Sequence, residues 1–232
     1  MCCDIMINGE PLVTFGGKAM LDYIIGESEL TNETYHGINR SNWVLLKSMY
    51  GLREVRITIL FEGTDLHQAK LARSKFNAAV FGKCELYIAD DGFFYSVLCD
   101  HIGEEILVGI GKQSAQVKSE YTFRGIRHGE KKTVSVPAGG RIYCHSTMPF
   151  TDCKLTATVG TTGTNYHLGG AVFASVTAGD VLVFDGINCA ITKNGANAAG
   201  TTTWLHFPAL TAGSNAIDCT DAVTVEYYPA FL

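Results

Sequence analysis

Proline occurs only 5 times and tryptophan twice in these 232 residues, and no stretch approaches the ~18 consecutive apolar residues that a membrane-spanning helix requires. Basic charge is not in excess either. Against 18 Lys and Arg stand 23 Asp and Glu, a formal charge of −5, which argues against sequence-specific nucleic-acid binding because phosphate neutralisation needs a net basic face. The opening, MCCDIMINGEPLVTFGG, has neither a basic region nor an apolar core of signal-peptide length, so synthesis in a cytosol and no membrane insertion are expected. Cysteine is plentiful at 8, yet no two form a C-x-x-C pair, and the 7 histidines make no H-x-H or H-x-x-x-H pair. Neither a metal centre nor a cofactor is therefore expected, and the thiols are expected to be reduced core groups.

What the chain does contain is apolar material, 47% against 18% charged, which supports a buried core and excludes compositional disorder. Composition shifts near residue 131. Residues 1–130 hold 13 Lys/Arg and 17 Asp/Glu, whereas residues 131–232 hold 5 and 6 and are crowded with Thr, Gly and Ala. Two domains, 1–131 and 132–232, are the simpler reading, with Arg124, Gly125, Arg127, Gly129, Lys131 and Lys132 supplying the linker.

In the first part, REVRITILF (53–61) alternates Val55, Ile57, Ile59 and Phe61 with Glu54, Arg56 and Thr58, a half-buried strand. A helix is expected over about 65–81. Asp65 with Gln68 resembles a capping box, Leu66, Ala69, Ala72, Phe76 and Ala79 recur at helical spacing, and Gly82 stands at the stop. CELYIA and FFYSVLC then flank Asp90, Asp91 and Gly92. With Asp91 and Gly92 as a two-residue type I′ loop, Cys84 would lie opposite Cys99, Leu86 opposite Val97 and Ile88 opposite Tyr95. Val117 to Arg124 alternates again. After residue 131 come short strands between Gly, Thr and Asn turns: TVSV, RIYCHS, KLTATV, AVFASV, VLVFD, TTTWLHF and VTVEYY. With no crossover helices, these imply an antiparallel sandwich or jelly roll, so the fold class is mainly β with one helix.

Three passages resemble the distal tail protein family of long-tailed bacteriophages. They are INGE…FGGKAMLDYIIGE, the unit FEGTDLHQAKLARSKFNAAVFGKCELYIADDGFFY, and the closing HFPALTAGSNAIDCTDAVTVEYYPAFL, in which Phe207, Pro208, Leu210, Gly213, Asn215 and Ile217 precede the aromatic strand Val223 to Pro229. The resemblance implies a tail-tube-like N-terminal domain that forms a hexameric ring and a C-terminal galectin-like sandwich. The ring would join the tail tube to host-facing tip proteins in a virion assembled in the host cytoplasm. The ending also has a local rationale: Pro208 limits a strand, Gly213 accepts positive φ, and the Asn215 side chain can bond nearby backbone.

Candidate chemistry is thin. Gly109 to Ser114 resembles a phosphate loop, but Ile106 stands where the first glycine belongs and Gln113 where the hydroxyl belongs. Cys144–His145 and Asp152–Cys153 evoke a thiol hydrolase, but strand neighbours point to opposite faces. Asp90 and Asp91 offer two carboxylates where calcium takes six to eight oxygens. No catalytic residue is assigned, and an enzyme is the weakest of the functional readings. An alternative to the structural role is saccharide binding by the C-terminal sandwich. Alternation puts Trp204 with His206 on one face and Leu205 with Phe207 toward the core; an exposed Trp204 would stack on sugar, while a buried one would only pack. Finally, residues 31–50 carry Trp43, Val44, Leu45, Leu46, Met49 and Tyr50, more apolar surface than a plain loop. They are expected to form an arm or hairpin at an inter-subunit contact involving Trp43, Leu45 and Tyr50, the competing reading being one more core strand.

Overall fold

In the computed structural model, which describes residues 4–20, 23–36, 43–111 and 114–232, the strand Arg53–Gly63 buries Val55, Ile57, Ile59 and Phe61 on one face. It pairs antiparallel along its whole length with Ala115–His128, so that Val117 meets Phe61 and Tyr121 meets Ile57. The sheet continues in the order Glu10–Pro11, Ile5–Ile7, Lys83–Ile88, Phe93–Ile102, Ala115–His128, Arg53–Gly63, Gly17–Ala19. The α-helix Leu66–Ala79 begins at Asp65, whose carboxylate accepts the Gln68 N–H at 2.8 Å, and Gly82 just beyond it takes φ of 83°. Phe76 is fully buried among Phe15, Phe61 and Tyr121, with ring centroids 5.7, 5.8 and 4.9 Å away.

The hairpin after the helix corrects the expected register. Cys84 lies opposite Val97, Leu86 opposite Tyr95 and Ile88 opposite Phe93, a slip of two residues that keeps the same faces but takes Cys99 out of opposition to Cys84. A type I′ loop needs positive φ at both central residues, and only Gly92 has it. The N–H groups of Asp91 and Gly92 both donate to the Ile88 carbonyl, and the Asp91 carboxylate accepts the Tyr95 hydroxyl. The turn is thus a four-residue loop closed by Ile88 and Phe93.

From Lys132 onward a second apolar cluster forms. One antiparallel sheet runs Lys132–Val136, Val223–Tyr227, Thr151–Thr158, Val181–Asp185, Ala190–Lys193, Ala196–Asn197. Leu155, Phe184 and Val225 from it are buried with Tyr166, Leu168 and Phe173 of the hairpin Gly163–Leu168 and Ala171–Val176. The protein is mainly β, and its contacts divide it into two compact units, Met1–Arg127 with Leu232 and His128–Phe231. Arg124, Gly125 and Arg127 lie inside the long strand Ala115–His128 and not in a linker.

Charge pairing sets an acid limit on the second unit. The Asp180 carboxyl is held at about 2 by Lys193, by the Thr177 N–H and by the Asn194 side chain; Glu226 is lowered by Lys131 and Lys154. A carboxylate whose folded pKa lies below its unfolded value contributes stability above the unfolded pKa and loses it as pH falls through the folded one. The unfolding temperature of the second unit is therefore expected to drop as pH falls from about 4 to about 2, and Asp180→Asn is expected to flatten that drop in calorimetric scans.

Candidate functional site

Leu30–His36 and Trp43–Tyr50 form a two-stranded antiparallel hairpin in which the side chains of residues 30–36 and 44–50 are all exposed. Leu30, Tyr35, Val44, Leu45, Leu46, Met49 and Tyr50 are among the exposed large apolar residues of the chain. An isolated two-stranded ribbon is marginal in water, and one presenting this much apolar surface calls for cover. Thr31 pairs with Met49 and Glu33 with Lys47, then the register shifts between Glu33 and Thr34, so that Thr34 pairs with Leu45 and Leu46 is the extra residue of a bulge. Cross-strand partners share a face. The bulge therefore brings Leu45, five residues from Tyr50, to the same face as Tyr50 and Leu30, where strict alternation would have separated them. That face also carries the Ser48 hydroxyl donating to Asn32 Oδ1 at 2.7 Å. Trp43 heads the second strand opposite His36; its side chain, like residues 37–42, lies outside the described structure.

A second exposed apolar strand, Ile106–Ile110, pairs with the start of Ala115–His128. Ile106, Leu107, Val108 and Ile110 all face solvent, and no local period in the sequence marks them as exposed. In the phosphate-loop lookalike that follows, the Gly111 N–H donates to the Ser114 carbonyl at 2.6 Å, which is a turn; Lys112 and Gln113 lie outside the described residues.

At the other candidate, alternation fails. The strand ends at Thr203, so Trp204 to Phe207 leave strand geometry, and Leu205 is 89% exposed instead of entering the core. Trp204 is 38% exposed and rests on Phe207 with ring centroids 4.6 Å apart, while Phe207 packs on the core; His206 is exposed beside them. Further along the same ending, Gly213 takes φ of 92° and the Asn215 amide bonds the Thr211 backbone on both sides, its Oδ1 accepting from N–H and its Nδ2 donating to the carbonyl.

The nucleophile geometry is unfavourable. Cys144 is buried beside the Ser146 hydroxyl while His145 is exposed against Tyr143, and Cys153 is buried while Asp152 is exposed. Burial pushes the Cys153 thiol up to about 12 and the Cys84 thiol up to about 11. At pH 8 roughly one in a thousand or fewer of these groups is thiolate. Iodoacetamide at that pH is expected to label exposed Cys189 within minutes and to leave Cys84 and Cys153 unmodified until the protein is unfolded, which peptide mass spectrometry reads directly. Among the described residues no three His, Cys, Asp or Glu side chains form a metal-holding group, and no helix is long and apolar enough to cross a membrane. A cleft of about 600 Å³ is lined by Ile5, Met6, Leu12, Val13 and Ala19 with Asp4, Lys18 and Glu62, and offers no thiol, hydroxyl or imidazole.

Exposed apolar ribbons are surface that association with another chain would cover. No protein-family model matches the chain and no curated protein matches it significantly. Solved structures do match. The Dit protein of phage SPP1, described as a paradigm of the hub adsorption apparatus in phages infecting Gram-positive bacteria, shares the fold over 100% of both chains with a TM-score of 0.68 at 13% identity. A chain of the phage P2 baseplate in its activated conformation with Ca matches over 99% of this chain and 98% of that one, with a TM-score of 0.53 at 9% identity. The phage p2 baseplate with Sr gives 98% of each, 0.55 and 9%. The chain has the fold of a phage hub and baseplate subunit, and the resemblance to distal tail proteins carried by its three motifs is met at the level of fold.

Proposed function

We propose that the chain is a structural component of a long-tailed phage virion, a distal tail protein whose six copies close into a ring between the tail tube and the host-facing tip proteins. The end-to-end fold likeness to the SPP1 Dit protein carries this reading. In it, residues 1–131 are the tail-tube-like, ring-forming domain and residues 132–232 a galectin-like domain on the periphery. The hairpin gives the ring its contact. A closed ring needs one patch to meet a different patch on the next copy, and an exposed ribbon with Leu30, Leu45 and Tyr50 on one face supplies the first of them, with Trp43 as a further anchor. The role is architectural, without catalysis or cofactor, and the protein resides at the tail tip after assembly in the host cytoplasm. Light scattering on the purified chain is expected to give about 150 kDa, six times the chain mass of 25.1 kDa, and a stable monomer would count against the reading.

A second reading draws on the partly exposed Trp204 beside His206: saccharide binding by the C-terminal unit. In a Trp43→Phe background Trp204 is the sole tryptophan, so its fluorescence reports that surface alone. Oligosaccharide at millimolar concentration is expected to shift the emission if the indole stacks on sugar; an unchanged spectrum leaves Trp204 only its packing on Phe207.

A further inference from the structure

Arg53 opens a strand whose inward face is otherwise apolar, and it is itself only 3% exposed. Its cross-strand partner is Gly125. The guanidinium reaches past the sheet to two consecutive residues. Nη1 donates to the Gly26 carbonyl at 2.9 Å, and Nη2 stands 3.1 Å from the carboxylate of Glu27, which is 89% exposed. Nε and Nη2 are both buried without a hydrogen-bond acceptor, so the Gly26 bond is the one directed contact and Glu27 is held as an ion pair. Burying a charge with so few partners is costly.

Gly26 and Glu27 are the segment that carries the chain from the short strand Ile24–Ile25 into the exposed hairpin. The hairpin's root is held to the sheet by the pairing of Ile24 with Arg56 and Ile25 with Val55 and by Tyr23 and Ile25 against the core; beyond Ile25 the backbone contacts are few. Gly26 N–H donates to the Glu54 carbonyl and Gly51 N–H to the Glu29 carbonyl, while Ile24, Leu30 and Leu52 are all exposed. A planar guanidinium hydrogen-bonded to the Gly26 carbonyl and ion-paired with Glu27 beside it holds the segment in direction as well as position, which a point charge on a flexible stem does less well.

We propose that Arg53 is a positioning residue that sets the angle at which the hairpin leaves the sheet, and thereby the rotation between copies at which the ring closes. This rests on the hairpin being the inter-subunit arm. A heterologous contact closes only at one rotation; an arm free to swing yields several closures or open chains.

The decisive variant is Arg53→Lys, which keeps the charge and loses the fork. Hydrogen exchange followed by mass spectrometry on peptides covering residues 23–32 and 48–55 reads the root of the hairpin whether or not the ring forms. Native mass spectrometry reads the assembly. Exchange in both peptides is expected to speed up roughly tenfold or more, the worth of a charge-assisted bond, with the rest of the N-terminal unit unchanged. The single hexamer mass is expected to spread into several species. Wild-type exchange together with a single hexamer mass in Arg53→Lys overturns the proposal. If that variant fails to fold, Glu27→Ala removes one arm of the grip at an exposed position. It is expected to speed exchange in the 23–32 peptide by a few-fold, and exchange equal to wild type overturns the proposal equally. A chain in which residues 31–49 are replaced by a short Gly-Ser turn separates the two ideas. If that chain still forms the hexamer, the arm reading fails and the proposed control of ring closure falls with it, while altered exchange in Arg53→Lys would still establish the grip on the root.

Discussion

Gly125→Ala is expected to prevent the N-terminal unit from folding. The strands Phe93–Ile102 and Ala115–His128 approach so closely there that an added Cβ would sit 2.0 Å from the Ser96 carbonyl oxygen and 2.7 Å from Val97 Cα. Both are backbone atoms, so no rotamer change relieves the clash; the strands would have to part, taking with them buried Phe123, Tyr121 and Val97. Overpacking by a methyl group in a core that can adjust costs about 1–3 kcal/mol, and a fixed backbone puts this case above that, at ~4 kcal/mol or more. Domains of this size have about 5–15 kcal/mol in total. Urea unfolding followed by near-ultraviolet circular dichroism is expected to show the native signal of the Tyr- and Phe-rich N-terminal core lost or its midpoint sharply lowered. Gly200→Ala, where a Cβ meets nothing within 4 Å, is the matched control and is expected to stay within about 0.5 kcal/mol of the parent.

Trp43→Ala combined with Leu45→Asp is expected to yield folded monomers. Leu45 shares its face with Leu30 and Tyr50, and an aspartate there places an unpaired carboxylate in the middle of the surface that the next copy would cover. Loss of central anchors weakens each contact by roughly 2 kcal/mol or more, about thirtyfold in affinity, and a ring repeats that loss at every joint. Since Leu30, Leu45 and Tyr50 are exposed in the single chain, the fold itself has little to lose at Leu45, and the unfolding midpoint is expected to stay close to the parent's. Thr31→Asp, on the opposite face beside Met49, is expected to leave the assembly intact. Size-exclusion chromatography with light scattering distinguishes the three proteins.

How much of this was legible in the residues depended on whether burial followed a local period. REVRITILF, the Val117 to Arg124 alternation and the helix from Asp65 read correctly because each repeats its apolar positions over two or more turns or pleats against a continuous core. The strands Gly163–Leu168 and Ala190–Lys193 carried no such signal, since GTNYHL and AITK hold too few apolar residues to show a period. The Asp-Gly pair correctly marked a turn but not its length, which was decided by Ile88 accepting two backbone donors. At Trp204 the alternation was extended four residues too far, past Thr203 to Phe207, and so misplaced Leu205. In the hairpin, apolar content was legible and the pairing of Leu45 with Tyr50 on one face was not, because it depends on a bulge. Arg53 was the least legible of all. No local pattern marks a cation at the start of a strand as buried, and the partners it meets, Gly26 and Glu27, lie far back in the chain.

The most direct test of the ring is the shape of the particle made by the unaltered chain. Class averages of negatively stained particles at micromolar concentration are expected to show sixfold rings with an open centre, and a chain lacking residues 31–49 is expected to show none. Particles with twofold symmetry, or rings that persist when the hairpin is gone, would contradict an assembly built through this hairpin.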